Sequence, residues 1–128
     1  MSGGKPPVRL LVVDDEPALL RLLEMYLGRL GYEVTACLTA EEALERVGST
    51  AVEYSLVIVD LNLPGIPGLE LVRRLREKAP GLPVLLCSGY GAGLSMLPPE
   101  LRERAAVLQK PFLPAMLAER VGQLLSQV

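Results

Sequence analysis

Hydrophobic and polar positions follow two rhythms along the chain. Short unbroken aliphatic runs suit strands buried on both faces, and leucines or alanines returning every three or four residues suit amphipathic helices. Val8 to Val13 is a run of the first kind, broken only by Arg9. Asp15-Glu16-Pro17 then reads as a helix start, because acids favour the positive N-terminal end and proline fits the first turn. Leu19, Leu22, Leu23, Tyr26, Leu27 and Leu30 follow at helical spacing, and Gly31 stops that helix. Glu33 to Cys37 reads as a short strand. Thr39-Ala40-Glu41-Glu42 has the capping-box pattern and opens a helix to about Val47, with Ala43, Leu44 and Val47 inward. Ser55 to Val59 is a buried strand ending at Asp60, Leu61 to Gly68 a loop by its proline and glycine content, and Leu69 to Lys78 an amphipathic helix. Pro80-Gly81 turns the chain into a fourth strand, Leu82 to Cys87. Ala92 to Arg104 has helical tendency, but Pro98-Pro99 breaks it. Ala106 to Gln109 is a last strand and Leu113 to Leu125 a closing helix.

Five alternations of apolar strand and amphipathic helix predict an α/β fold, a doubly wound parallel sheet with right-handed crossovers. Residues 1–7, with Gly3-Gly4 and Pro6-Pro7, read as a flexible leader, and 8–126 as one domain without internal repeats. A chain of 128 residues can bury one substantial core, which its 50% hydrophobic content fills with aliphatics, since aromatics are only 4%. Lys+Arg 13 against Asp+Glu 15 leaves a formal charge of −2, which lacks the basic footprint of general nucleic-acid binding. No apolar run reaches the length of a membrane span and no secretory signal is visible, so the cytoplasm is the expected compartment. Cys37 and Cys87 lie inside apolar runs and read as reduced core residues. The chain has no histidine. That removes Ser-His-Asp and Cys-His catalysis, His-ligated zinc and any phosphohistidine carried on this chain.

In an open α/β sheet the functional crevice lies beyond the carboxyl ends of the strands. There the pattern places Asp14-Asp15, Asp60, Ser88 and Lys110-Pro111. Three crowded carboxylates repel one another unless a cation is present, and all-oxygen ligation with few protein ligands suits Mg²⁺. A lysine and a hydroxyl facing such a cluster match the needs of a phosphoryl group, and a carboxylate is a competent phosphoryl acceptor. Taken singly, Asp14 or Asp15 would read as a helix cap, Ser88 as a turn former and Lys110 as a surface lysine. Arg73, Arg74, Arg76 and Lys78 form a basic stretch interleaved with Glu70 and Glu77, which reads as a solvated helix face.

The motifs LLVVDDEP at Leu10 to Pro17, LVIVDLNLPGIPGLEL at Leu56 to Leu71, VLLCSGYG at Val84 to Gly91 and LQKPF at Leu108 to Phe112 stand in order at successive strand ends. With them the chain, from about Val8 to Leu125, resembles the receiver domains of two-component response regulators, the CheY-like superfamily. The resemblance implies a flavodoxin-like (βα)5 fold with strand order 2-1-3-4-5. It makes Asp60 the phosphoacceptor, taking a phosphoryl group from a histidine kinase or histidine phosphotransfer domain. Mg²⁺ would be bound directly by Asp15, Asp60 and the backbone carbonyl of Asn62, with Asp14 acting largely through water. Ser88 and Lys110 would contact phosphoryl oxygens, and the bond to Pro111 would be cis. Asn62 and Tyr90 would tune the lifetime of the acyl phosphate. The family's aromatic switch position is here Val107, which cannot make the large inward swing, so any signal would travel through the loop from Ser88 to Met96 or be minimal. The first helix and the loop after Lys110, with Leu113-Pro114, would dock the donor.

Such a domain is a signalling module that promotes only its own phosphorylation and dephosphorylation. Its output would be a downstream protein or an attached domain, with dimerisation through the fourth or fifth helix open, and with neither direct nucleic-acid contact nor membrane insertion. VLLCSGYG and LQKPF look more like receivers of hybrid sensor kinases than those of DNA-binding regulators. Two other classes compete. A phosphorylation-independent pseudo-receiver is favoured by Val107 and opposed by the complete acidic set. A Mg²⁺-dependent phosphohydrolase would need a second acid near the nucleophile and a substrate cap, for which the length leaves no room.

Overall fold

A computed structural model of the chain describes residues 7–47, 54–89 and 97–126. Nearly all of the expected leader, together with Tyr90 and most of the expected loop from Ser88 to Met96, lies outside the described residues.

Five parallel strands form one sheet in the order β2-β1-β3-β4-β5, where β1 is Arg9–Val13, β2 Glu33–Cys37, β3 Leu56–Asp60, β4 Val84–Ser88 and β5 Ala105–Gln109. The four α-helices among the described residues are α1 (Pro17–Arg29), α2 (Ala40–Arg46), α3 (Gly68–Lys78) and α4 (Pro114–Ser126). The described part of the β4–β5 connection holds a single 3-10 turn, Pro99–Leu101, placed where Pro98-Pro99 breaks the helical tendency.

The continuous aliphatic runs are explained by two-sided burial. Along β1, β3 and β4 successive side chains point to opposite faces. Leu11, Val13, Val57, Val59, Val84 and Leu86 pack with α2 and α3 on one face. Leu10, Val12, Leu56, Ile58, Leu85 and Cys87 pack with α1 and α4 on the other. The expected doubly wound α/β architecture is therefore present. Both cysteines are free and buried.

Local rules fix the helix boundaries. Pro17 opens α1, and Gly31 closes it in the left-handed region at φ 101°, where a Cβ would be strained. Thr39 Oγ1 accepts the Glu42 N–H at 3.1 Å while the Glu42 carboxylate accepts the Leu38 N–H at 3.0 Å, which caps the seven-residue α2. The basic stretch on α3 departs from its expected solvated role. Arg73 and Arg74 are exposed, but Arg76 is half-buried and spends its guanidinium on backbone carbonyls. Lys78 likewise donates to the Leu44 carbonyl at 3.1 Å and ties α3 to α2.

Candidate functional site

The parallel register brings the carboxyl ends of β1, β3, β4 and β5 to one edge of the sheet. Asp14 follows β1 directly, Asp60 is the last residue of β3, Ser88 is the last of β4 and Lys110 follows β5. Asp60 is registered against Cys87, and Ser88 against Gln109. The Lys110 N–H donates to the Ser88 carbonyl at 2.6 Å, so this hydrogen bond locks the ends of β4 and β5 together.

Asp14 and Asp60, both buried, use their two oxygens in the same way. One oxygen of each accepts a backbone N–H two residues on, from Glu16 at 2.9 Å and from Asn62 at 3.0 Å. This local turn fixes the carboxylate against its own loop. The other oxygen of each accepts from Lys110 Nζ, at 3.1 Å in both cases. Asp15 is exposed, yet an oxygen of each of Asp14, Asp15 and Asp60 lies within 4.8 Å of the others. Three hard carboxylate oxygens at this spacing, one of them facing solvent, fit a hydrated divalent cation. The structure thus gathers Asp14, Asp15, Asp60 and Lys110 into one cluster, with buried Ser88 on the neighbouring strand end. The Lys110–Pro111 peptide is cis. Asn62 is exposed beside the cluster, and Val107 is half-buried on the edge strand β5.

Glu16, which the sequence offered only as part of a helix start, is also drawn in. Its carboxylate lies 3.6 Å from Lys110 Nζ. The signal for it was its place immediately after the acidic pair. The capping of α1, in turn, comes from Asp14, because the Glu16 side chain makes no cap bond.

The electrostatics follow from the burial. Desolvation pushes the Asp14 carboxyl above its ordinary range, and the Glu16 N–H and Lys110 only partly oppose this. Burial also works against the Lys110 ammonium, but the hydrogen bonds and charges of Asp14 and Asp60 outweigh it and hold its pKa well above 10.5. The lysine therefore stays protonated and neutralises part of a site that remains net negative.

A sequence model of the response regulator receiver domain matches residues 10–122. The chain belongs to this family. It is 37% identical over 123 residues to the transcriptional activator protein PfeR of Pseudomonas aeruginosa, covering 96% of this chain and 39% of that protein. It is 32% identical over 117 residues to the transcriptional regulatory protein ResD of Bacillus subtilis, covering 91% of this chain and 48% of that protein. The receiver thus spans less than half the length of these two relatives. Among solved structures, a CheY-like receiver domain protein from Methanospirillum hungatei superposes with a TM-score of 0.84 at 28% identity, covering 95% of this chain and 96% of that one. The receiver domain of the hybrid histidine kinase CckA gives 0.77 at 34% identity, covering 91% and 98%. The strand order 2-1-3-4-5 is that of these receivers. Among the described residues no helix is long and apolar enough to cross a membrane.

Proposed function

We propose that this receiver accepts a phosphoryl group on Asp60 from a histidine of a partner kinase or phosphotransfer domain. The observation that carries the reading is the pairing of a buried strand-end carboxylate with a protonated lysine at 3.1 Å, inside a cluster of three carboxylates. In the transfer a bond forms between an Asp60 carboxylate oxygen and phosphorus, and the bond from phosphorus to the donor's imidazole nitrogen breaks. The freed imidazole takes a proton.

Asp15, Asp60 and the Asn62 carbonyl would hold Mg²⁺ directly, with Asp14 acting largely through water, and the bound ion would neutralise charge on the carboxylates and the phosphoryl oxygens. Lys110 leaves the Asp60 carboxylate and pairs with a phosphoryl oxygen, so no new buried charge is left without a partner. Ser88 donates its hydroxyl to another oxygen. Asn62 and Tyr90 set how long the acyl phosphate survives, by controlling the approach of water. The chain turns over no external substrate, acts in the cytoplasm, and passes its signal to a protein partner or an attached domain. The relatives include both transcriptional regulators and a hybrid kinase receiver, and a hybrid-kinase context remains the one proposed from the VLLCSGYG and LQKPF segments. The donor docks on α1 and the loop after Lys110, where Leu22 and Leu113 stand exposed.

The test is incubation with acetyl phosphate and Mg²⁺ followed by intact-mass measurement of the wild type and Asp60→Ala. A phosphoryl adduct on the wild type alone supports the reading. No adduct with any donor favours a phosphorylation-independent interaction module, to which half-buried Val107 at the switch position would also point.

A further inference from the structure

The one basic residue of α3 that turns inward does unusual work. Arg76 Nε donates to the Leu82 carbonyl at 3.1 Å and Nη1 to the Leu101 carbonyl at 3.4 Å. Nη2 donates to the carbonyls of Glu103 at 2.6 Å and Arg104 at 3.2 Å. One guanidinium, with its rigid fork of five N–H groups, thus binds two separate segments of chain. Leu82 leads into β4. Residues Leu101 to Arg104 lead into β5. Arg104 sits at φ 53°, a left-handed conformation unfavourable for a non-glycine residue, which persists where the surroundings hold it. Its carbonyl is also the acceptor for the Val84 N–H at 3.0 Å, at the start of β4. Arg76 therefore clasps the place where the pairing of β4 with β5 begins.

That pairing ends at the site. The register runs from Val84 against Ala105 to Ser88 against Gln109, and the Lys110 N–H closes it on the Ser88 carbonyl. We propose that Arg76 is a positioning residue for phosphoryl transfer: by fixing the starts of β4 and β5 it sets how Ser88 and Lys110 stand relative to each other at the far ends. This rests on the phosphoacceptor reading for its functional half, while its structural half can be read without phosphorylation. Arg76 touches neither phosphoryl group nor metal, and acts only through the two strands.

The test compares Arg76→Gln and Arg76→Lys with the exposed control Arg73→Gln in the full chain, at a temperature where each variant remains folded. Native-state amide hydrogen exchange is followed for Lys110 and β5, with β1 and β3 as internal reference. In both Arg76 variants the Lys110 and β5 amides are expected to exchange roughly tenfold faster relative to the reference strands. Lysine keeps the charge but not the fork, so it does not rescue. The rate of adduct formation from acetyl phosphate is expected to fall about tenfold, the scale of a sub-ångström misplacement of reacting groups, while Arg73→Gln matches the wild type. Equal acceleration in every strand would show a purely structural role and overturn the proposal, as would unchanged exchange at Lys110. If the wild type took up no phosphoryl group while the selective exchange persisted, the phosphoacceptor reading would fail and the coupling through Arg76 would stand.

Discussion

At the scale of single residues, the site is a balance between burial and one lysine. Asp14 holds its proton to higher pH in the folded chain than in the unfolded chain, so its ionised form opposes folding. Its contribution is favourable below the ordinary carboxylate value and is lost as pH rises through the raised one. Asparagine at this position keeps one acceptor oxygen for the Glu16 N–H and leaves Lys110 to Asp60 and Glu16, without the buried charge. Asp14→Asn is therefore expected to raise the urea midpoint of the chelator-treated chain at pH 7, and a lower midpoint would contradict this. The cysteines give a cleaner pH signature. Burial pushes the Cys37 thiol up to about 11 and the Cys87 thiol up to about 12. Both shifts are upward, so unfolded thiols ionise first and stability falls as pH rises above 9. Iodoacetamide at pH 8 is expected to label neither cysteine in buffer and both in urea, with mass as the readout. The acidic cluster and Lys110 were legible from their strand-end positions. The inward turn of Arg76 was not, because its acceptors are carbonyls distant in sequence, and periodicity cannot report a guanidinium's direction.

At the scale of elements, boundaries followed local chemistry closely where caps and glycines specify them, as at Thr39 and Gly31. They were least legible between Ser88 and Ala105, where prolines interrupt the helical pattern and where, in the described part, Arg76 reaches the Leu101 carbonyl from α3 and Arg102 bonds the Leu97 carbonyl locally. Among the described glycines, Gly68 at the junction of β3 and α3 has the least room for a side chain. A Cβ added at Gly68 would sit 2.7 Å from Leu61 Cα and 3.0 Å from the Asp60 carbonyl oxygen, both backbone atoms that cannot swing aside. Gly68→Ala is expected to push on the strand end that bears Asp60, with a loss of about 1–3 kcal/mol in urea denaturation and a slower rate of adduct formation per folded molecule. Unchanged stability and rate would show that the α3 start moves freely.

At the scale of the whole molecule, alternating side chains on three central strands bury two cores, and the same parallel arrangement delivers Asp14, Asp15, Asp60, Ser88 and Lys110 to one edge. That convergence was legible from order and periodicity, whereas the strand order followed only from the family resemblance, since hydrophobic rhythm does not say which strands are neighbours. The crowding of acids at that edge couples cation binding to global stability. Mg²⁺ that binds only the native chain stabilises by about 2.7 kcal/mol at a hundredfold excess over Kd. The urea midpoint is expected to rise with MgCl₂ relative to NaCl of equal ionic strength, and to stop rising in Asp15→Asn; an equal rise in that variant would remove Asp15 from the metal site. The most direct measurement concerns the acceptor atom itself. Borohydride reduction of the acetyl-phosphate-treated chain converts an aspartyl phosphate to homoserine, which fragment-ion mass spectrometry locates within the peptide. The predicted result is homoserine at position 60 alone, and homoserine at position 14 or 15, or at none, would contradict it.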